Sequence, residues 1–251
     1  MRVTSGFSRP AGATGLCVLG LALALAGCGA APFPPLEVDP LEESNRQAHD
    51  LNKSIDQAAF GPVARGYGAY VPEPARNGVT NLVNHSRLPA GAIQYGLQGR
   101  PLKVAETTMR FAINTVFGFG GLLDPAEEMG LPFRETGVDE TLHVWGVPTG
   151  AYLELPIGGP GTERDWAGYG LDIVADPLFY LTAGATSWAL VGVRTVDLVH
   201  DRYKLDPALQ AILYESEDSY TSQRISYLQN MRARLQGGTE LDVLEDPYAD
   251  Y

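Results

Sequence analysis

The sequence has 251 residues, 45% of them hydrophobic, which is enough for one domain with a substantial core. Its 30 acidic residues outnumber its 18 basic residues and give a formal net charge of −12. So acidic a chain excludes binding to nucleic acid or to anionic lipid headgroups through clustered lysines and arginines, and any membrane association must come from an anchor or from apolar surface.

The first 28 residues are organised like a secretory signal peptide. Arg2 and Arg9 precede an apolar run over residues 16–26, which is too short to cross a bilayer. The run ends in Leu-Ala-Gly-Cys, which resembles the lipobox of bacterial lipoproteins. In such proteins cleavage between Gly27 and Cys28 frees a cysteine that receives a diacylglyceryl group on sulfur and an acyl group on nitrogen. An ordinary signal peptide with an incidental cysteine is the alternative.

The lipoprotein interpretation predicts a signal peptide over residues 1–27 and a lipidated tether over residues 28–38. Several acyl chains anchor a protein stably, whereas one gives only marginal binding. Gly29 follows the cysteine, and the absence of Asp there favours delivery to the outer membrane. Only Cys17 and Cys28 are present, so the mature fold is predicted to have no disulfide.

A first amphipathic helix is predicted directly after the tether. Asp39 can cap it, Pro40 suits its first position, and Gly61-Pro62 is expected to end it. Apolar residues recur along it at helical spacing: Leu41, Ala48, Leu51, Ile55 and Ala59.

Prolines also punctuate the next predicted helices. The segment 70–78 reads as a turn and a helix start, and the helix it opens is expected to end near Ser86. A separate short helix is predicted over residues 89–98, and another begins at Pro101.

Two segments are almost free of charge. Residues 111–123 carry none, and residues 166–193 carry only Asp172 and Asp176. The uninterrupted apolar part of the second, 183–193, is too short to cross a bilayer. Both segments could form the core, or they could lie in the leaflet that holds the acyl chains. On the second interpretation the side chains predicted to face lipid are Phe117, Phe119, Leu122, Trp188 and Leu190.

The remainder of the chain adds one weak strand candidate, over residues 152–155, and a final helix from Asp206-Pro207 to Gly237-Gly238. The apolar stripe predicted for this helix consists of Leu209, Leu213, Tyr220, Leu228, Met231 and Leu235. Residues 238–251 are acidic and predicted to be disordered. The sequence therefore predicts a mainly α protein with a single helical domain over residues 39–237.

No pattern in the sequence indicates enzymatic chemistry. There is no nucleotide-binding loop, no hydrolase nucleophile motif and no metal-ligand spacing among the histidines at 49, 85, 143 and 200. Asp172 and Asp176 form an i,i+4 pair, but one of them more commonly caps a following turn. Arg164-Asp165 is interpreted as a local ion pair. The sequence predicts a protein that is not an enzyme and has no cofactor or metal.

Polar residues, glycines and prolines in a particular order resemble a known family. They are Asp39-Pro40-Leu41-Glu42 with Asn45-Arg46 and Asn52; Tyr70-Val71-Pro72-x-Pro74-x-Arg76-x-Gly78 with Asn81; Pro89; Leu97-Gln98-Gly99; Arg110-Phe111 with Asn114-Thr115, Gly118 and Gly121; Asp124-Pro125-Ala126; Glu140-Thr141-Leu142; Trp145-Gly146-Val147; Gly150 and Tyr152; Leu155-Pro156; Gly159-Pro160; and Arg164-Asp165. Together they resemble the VacJ/MlaA family of outer-membrane lipoproteins over about residues 39–180. Ser44, His49 and Leu51 depart from it, since the family usually has other bulky apolar or aromatic residues there.

The resemblance implies a single ring-like helical domain, partly embedded in the inner leaflet of the outer membrane, with an amphipathic channel through it. Phospholipids misplaced in the outer leaflet would pass through the channel to a soluble periplasmic lipid carrier, for retrograde transport that maintains lipid asymmetry. Family members also associate with trimeric porins. The partners implied are thus phospholipid, the outer-membrane bilayer, a porin and a carrier.

Asn45, Arg46 and Asn114 are candidates to line the channel, because they are polar residues on amphipathic helices. Alternatively, they satisfy backbone groups between helices, as such residues often do. Two other functions remain open: a structural lipoprotein that scaffolds a porin, and a periplasmic enzyme that modifies phospholipids.

Overall fold

The computed structural model describes residues 38–178 and 185–240, together with residues 33 and 36. The predicted signal peptide, Cys28 and the end of the acidic tail lie outside the described residues. The fold is mainly helical, as the sequence predicts. The helices are α1 (Glu42–Ile55), α2 (Gly61–Tyr70), α3 (Glu73–Leu97), α4 (Pro101–Val116), α5 (Pro125–Glu128), α6 (Val138–Val144), α7 (Glu163–Ala175), α8 (Ala185–Lys204), α9 (Asp206–Leu209) and α10 (Ser219–Glu240), with π-helical segments at Asp56–Phe60 and Gln210–Glu215.

The first helix differs from its prediction at both ends. It begins at Glu42, with Leu41 rather than Asp39 at the N-cap position. The Asp39 carboxylate lies before the helix, where it accepts from the N–H of Leu41 at 3.2 Å and from the Asn45 side chain at 3.3 Å. Gly61-Pro62 does not end the helical path, which continues through the π-helical segment into α2. Proline is tolerated in the first turn of a helix, where its missing N–H has no partner to lose.

The separate helix predicted over residues 89–98 is part of α3, which runs through Pro89. A proline inside a helix removes one backbone hydrogen bond and costs about 3 kcal/mol relative to alanine. Packing offsets this cost, because α3 makes the most extensive helix–helix contact among the described residues, with α4. The predicted start of α4 at Pro101 is confirmed.

The predicted last helix is divided into three pieces. Asp206 begins the short helix α9, a π-helical segment follows, and α10 starts only at Ser219. Helix α10 also continues past Gly237-Gly238 to Glu240. Its predicted apolar stripe is confirmed as part of the hydrophobic core: Tyr220, Leu228, Met231 and Leu235 pack with Tyr152.

The predicted strand over residues 152–155 does not join a sheet. Tyr152 and Leu155 make isolated antiparallel bridges with Thr162 and Gly159. These bridges pin a turn in front of α7 and hold Tyr152 against α10.

The distribution of polarity is unusual for a soluble domain. Among the described residues, 12 hydrophobic residues are buried, compared with 21 polar or charged ones, and 27 large hydrophobic side chains are exposed. Buried polar groups and contiguous apolar surface are the informative exceptions in folded proteins. In the described part of the chain, no helix is both long enough and apolar enough to cross a membrane.

Candidate functional site

A cavity of about 680 Å³ is lined by parts of the chain that are distant in sequence. Its volume is in the range of about 300–1,000 Å³ that is common for sites of small ligands. One part of the wall is apolar and comes from the first π-helical segment, α8 and α9: Phe60, Leu198, Leu205 and Leu209. Another part is polar and comes from α6 and the loop before it, from α7 and from α10: Glu135, Asp139, Asp165, Asp172 and Arg234. Such a wall suits a ligand with an apolar and a polar end.

The arginine on the α8 side of the cavity is held by carboxylates. Arg202 donates to Asp56 at 2.6 Å and to Asp206 at 2.7 Å. Burial alone would raise the pKa of Asp56, but hydrogen bonds from Arg202 and Tyr214 outweigh it and lower that pKa. This pairing ties α8 and the second π-helical segment to the first, and so fixes one side of the wall.

The two acidic residues of the predicted i,i+4 pair, Asp172 and Asp176, have different hydrogen-bond partners. Asp172 lies on the cavity wall and accepts hydrogen bonds from the backbone N–H of Val138, at the start of α6. Burial raises the pKa of Asp172. Asp176 accepts from the N–H of Leu178 at 2.9 Å and pairs with Arg194 at 2.8 Å, so the predicted cap before Pro177 is confirmed.

Asn45 does not line the cavity. Its side chain is 0% exposed, and both ends of its amide are used. The amide nitrogen donates to the carbonyl of Tyr152 at 3.0 Å, and the oxygen accepts from the N–H of Glu154 at 3.0 Å. These contacts are those of the structural alternative, in which Asn45 satisfies backbone groups between segments.

Asn114 is buried in the same way. It donates to Asp124 at 2.8 Å and accepts from the N–H of Ala126 at 3.1 Å. Beside it, the buried Arg110 donates to Asp124 and, at 3.1 Å, to Glu127. This cluster holds the segment after α4 against the helix, so the contacts of Asn114 too are those of the structural alternative.

Arg46 is the one predicted lumen residue with a partly exposed side chain. It donates to Asp218 at 3.0 and 2.8 Å and to Glu42 at 2.8 Å, and its guanidinium lies over the ring of Tyr220. These contacts join α1 to α10. Within the described residues, the cavity wall contains none of the three predicted lumen residues.

Arg164 and Asp165 turn to different partners and do not form the predicted local ion pair. The guanidinium of Arg164 contacts Nδ1 of His143 at 3.2 Å. Asp165 forms a capping box with Thr162 at the start of α7 and accepts from the hydroxyl of Tyr227 at 2.6 Å. The sequence missed this arrangement because the partners of both residues lie elsewhere in the chain.

A hydroxyl, an imidazole and a carboxylate lie in a row around His49, one of the residues that depart from the family pattern described above. His49 Nε2 lies 2.9 Å from Ser219 Oγ, and His49 Nδ1 lies 3.4 Å from a Glu154 oxygen. Nδ1 is nevertheless buried without an aligned hydrogen bond, and the three side chains lie away from the cavity wall. The described residues also contain no group of three or more potential metal ligands. This site therefore gives little support to an enzymatic role.

A continuous apolar surface follows α4. Leu102, Met109 and Val116 are spaced by seven residues and are 78%, 55% and 70% exposed. The segment after the helix continues this surface. Its tight turn requires Gly121, which has a φ of +95° and packs directly against the ring of His85. Of the side chains predicted to face lipid, Phe117, Phe119, Leu122 and Trp188 are exposed, and Leu190 is half-buried.

Comparison with known proteins identifies relatives over most of the chain. The family model of the MlaA lipoprotein matches residues 37–234. The intermembrane phospholipid transport system lipoprotein MlaA of Escherichia coli (strain K12) is 34% identical over 217 residues, covering 84% of this chain and 83% of that protein. The protein of the same name in Haemophilus influenzae is 35% identical over 214 residues, covering 82% and 83%. A solved structure, described as "Structural basis for maintenance of bacterial outer membrane lipid asymmetry", matches with a TM-score of 0.70 and 33% identity, covering 79% of this chain and all of that one.

Proposed function

This chain belongs to the MlaA lipoprotein family, and we propose that it removes misplaced phospholipids from the outer leaflet of the outer membrane and passes them to the periplasm. The observation that carries the proposal is an amphipathic cavity in a protein that also exposes apolar side chains along α4 and the segment after it. A phospholipid needs both surfaces: an apolar exterior keeps the protein in the leaflet, and a mixed wall accepts headgroup and acyl chains together.

The lipid-facing role belongs to the apolar surface of α4 and the segment after it. Burying a large apolar side chain in hydrocarbon gains about 1.5–3 kcal/mol. Phe117, Phe119 and Leu122 together with Trp188 would thus contribute more to membrane attachment than a marginal single acyl chain. Cys28, lipidated after cleavage at Gly27, would then chiefly direct the protein to the inner leaflet of the outer membrane.

The proposed transport is not enzymatic and uses no cofactor on this chain. Lipid would leave the cavity toward a soluble periplasmic carrier, and a trimeric porin would hold the protein in place. Both partners are expected from the family. In this proposal the channel is lined by the residues of the cavity wall and not by the residues predicted from the sequence. Leu198, Leu205 and Leu209 lie on its apolar side.

The test uses a strain that lacks the gene and carries variants of it on a plasmid. Leu198→Glu puts a charge on the apolar wall at a position that is already exposed, so the fold should tolerate it. Leu97→Glu is the matched control, since Leu97 is exposed but not on the wall. Outer-leaflet phospholipid should stay high with Leu198→Glu and return to normal with Leu97→Glu. Normal levels with both would contradict transport through this cavity.

The porin scaffold is separated from transport by the same strain. A scaffold would need the anchor and the outer surface but not the cavity, so Leu198→Glu would then restore the strain fully. A Cys28→Ala protein, soluble in the periplasm, addresses both ideas. Full function without the anchor would contradict any role that depends on membrane embedding.

A further inference from the structure

We infer that the polar side of the cavity recognises a phospholipid headgroup with a primary ammonium group and discriminates against anionic headgroups. The inference rests on the proposed function, since it names the lipid class for the same cavity. It comes from the geometry around Gly137 and from the charges of the wall.

Two carboxylates converge above Gly137, which lies on the cavity wall. A β-carbon added at Gly137 would lie 2.8 Å from Asp139 Oδ1 and 2.9 Å from Asp172 Oδ2. The two oxygens therefore face the same space on the cavity wall, and any side chain at Gly137 would collide with both of them. The backbone does not require glycine there, because the φ of −150° is ordinary extended geometry.

Among the described residues, the wall offers no uncommitted cation to an anionic group. Its two arginines are both paired: Arg202 with Asp56 and Asp206, and Arg234 with Asp139 at 2.7 Å. A headgroup with a net negative charge, which brings no cation of its own, would have to displace a carboxylate from one of them.

Two carboxylates of the wall, in contrast, have only uncharged donors. Asp172 accepts from the backbone N–H of Val138, and Asp165 accepts from Thr162 and the hydroxyl of Tyr227. The remaining acid, Glu135, pairs with Arg87 at 3.0 Å. The wall thus carries negative charge that a bound cation would neutralise.

A primary ammonium group fits this space better than other cations. It carries three N–H donors and can bond to both carboxylates at once, whereas a quaternary ammonium has none. A divalent metal ion prefers six or more oxygen ligands, and in the described part of the chain the potential ligands do not form such a group. Burial raises the pKa of Asp172, and a bound ammonium would relieve that penalty.

The experiment offers four lipids with identical dioleoyl chains to the purified, full-length lipoprotein in detergent. They are phosphatidylethanolamine, its N-acetylated form, phosphatidylcholine and phosphatidylglycerol, and the lipid that co-purifies is measured by mass spectrometry. We expect phosphatidylethanolamine to be enriched about ten-fold over phosphatidylglycerol, and the N-acetylated form, which has no ammonium, to lose that enrichment.

Two variants act on the space itself. Asp172→Asn keeps the acceptor for Val138 and removes the charge. Gly137→Ala suits the backbone but places a β-carbon 2.8 Å from Asp139 Oδ1 and 2.9 Å from Asp172 Oδ2, so it pushes the two carboxylates away from their shared space. Both should abolish the preference while total bound lipid persists. The matched controls are Asp50→Asn, at an exposed position of α1, and Gly66→Ala, where an added β-carbon meets nothing within 4 Å.

The outcomes separate the two proposals. Enrichment in the wild-type protein that disappears with N-acetylation would support ammonium recognition even if one variant failed to fold. Binding of all four lipids in proportion to their supply would overturn ammonium recognition and leave lipid transport standing. If no lipid co-purified at all, the proposed function itself would be contradicted.

Discussion

Replacing Asn45 with alanine distinguishes a bracing residue from a lumen residue. The substitution removes two hydrogen bonds that join α1 to the segment before α7, and it leaves the Tyr152 carbonyl and the Glu154 N–H buried without partners. A buried group without its partner costs about 1–3 kcal/mol. We therefore expect Asn45→Ala, which leaves two such groups, to lower the free energy of unfolding by about 2–6 kcal/mol.

The assay is thermal unfolding followed by circular dichroism on the purified protein in detergent. For a domain of this size, about 1 kcal/mol shifts the melting temperature by about 2–4 °C. A loss near 3 kcal/mol thus predicts a melting temperature lower by about 6–12 °C. Asn77→Ala is the matched control, since it is the same substitution at an exposed position of α3. That variant should melt within about 2 °C of the wild type.

A lumen role would give the opposite result. If Asn45 lined an open channel, alanine would leave the melting temperature unchanged and alter lipid transport. Wild-type stability together with changed transport would therefore refute the bracing interpretation of Asn45 and restore the expectation from sequence.

Three further predictions concern the charged pair, the apolar surface and the histidines. Asp56→Asn leaves the buried Arg202 with a weaker partner and should cost about 3 kcal/mol in unfolding experiments; an unchanged melting temperature would count against the pair. Phe119→Asp should reduce vesicle flotation of the protein lacking its acyl chains by about 2 kcal/mol in partition free energy, and equal flotation would argue against a lipid-facing position. Burial lowers the pKa of His143 and His200, so at acidic pH the unfolded state binds more protons than the folded state. The melting temperature should therefore decrease as the pH is lowered from about 6.5, and His200→Gln should make that decrease smaller. A melting temperature that does not change with pH would contradict this.

Local signals in the sequence predicted local features well. Pro101 marks the start of α4 because proline suits the first turn of any helix. The apolar stripe of α10 is core because its period matches the helix and its partner is a hydrophobic cluster. Pro89 led to the wrong prediction of a separate helix over residues 89–98. A proline can lie inside a helix when packing offsets its cost, and packing is not a local property of the sequence.

The cavity could not be predicted in this way. Its wall brings Phe60 together with Arg234, at opposite ends of the domain, and no spacing rule relates them. The predicted lumen residues were chosen because they are polar on amphipathic helices, and that criterion is equally met by Asn45, which braces two segments. Telling the two apart requires knowing whether a neighbouring backbone group needs a partner.

The apolar surface of α4 shows why orientation is the hardest feature to predict. Leu102, Met109 and Val116 recur every seven residues, as they would on a helix that packs into a core. In this fold the opposite face is the buried one, and it carries Arg110 and Asn114. A buried arginine is stable only when it is paired, and its partners come from the segment that follows the helix. Because the interior of this region is satisfied by polar pairs, its apolar side chains are left facing outward, where a leaflet can receive them.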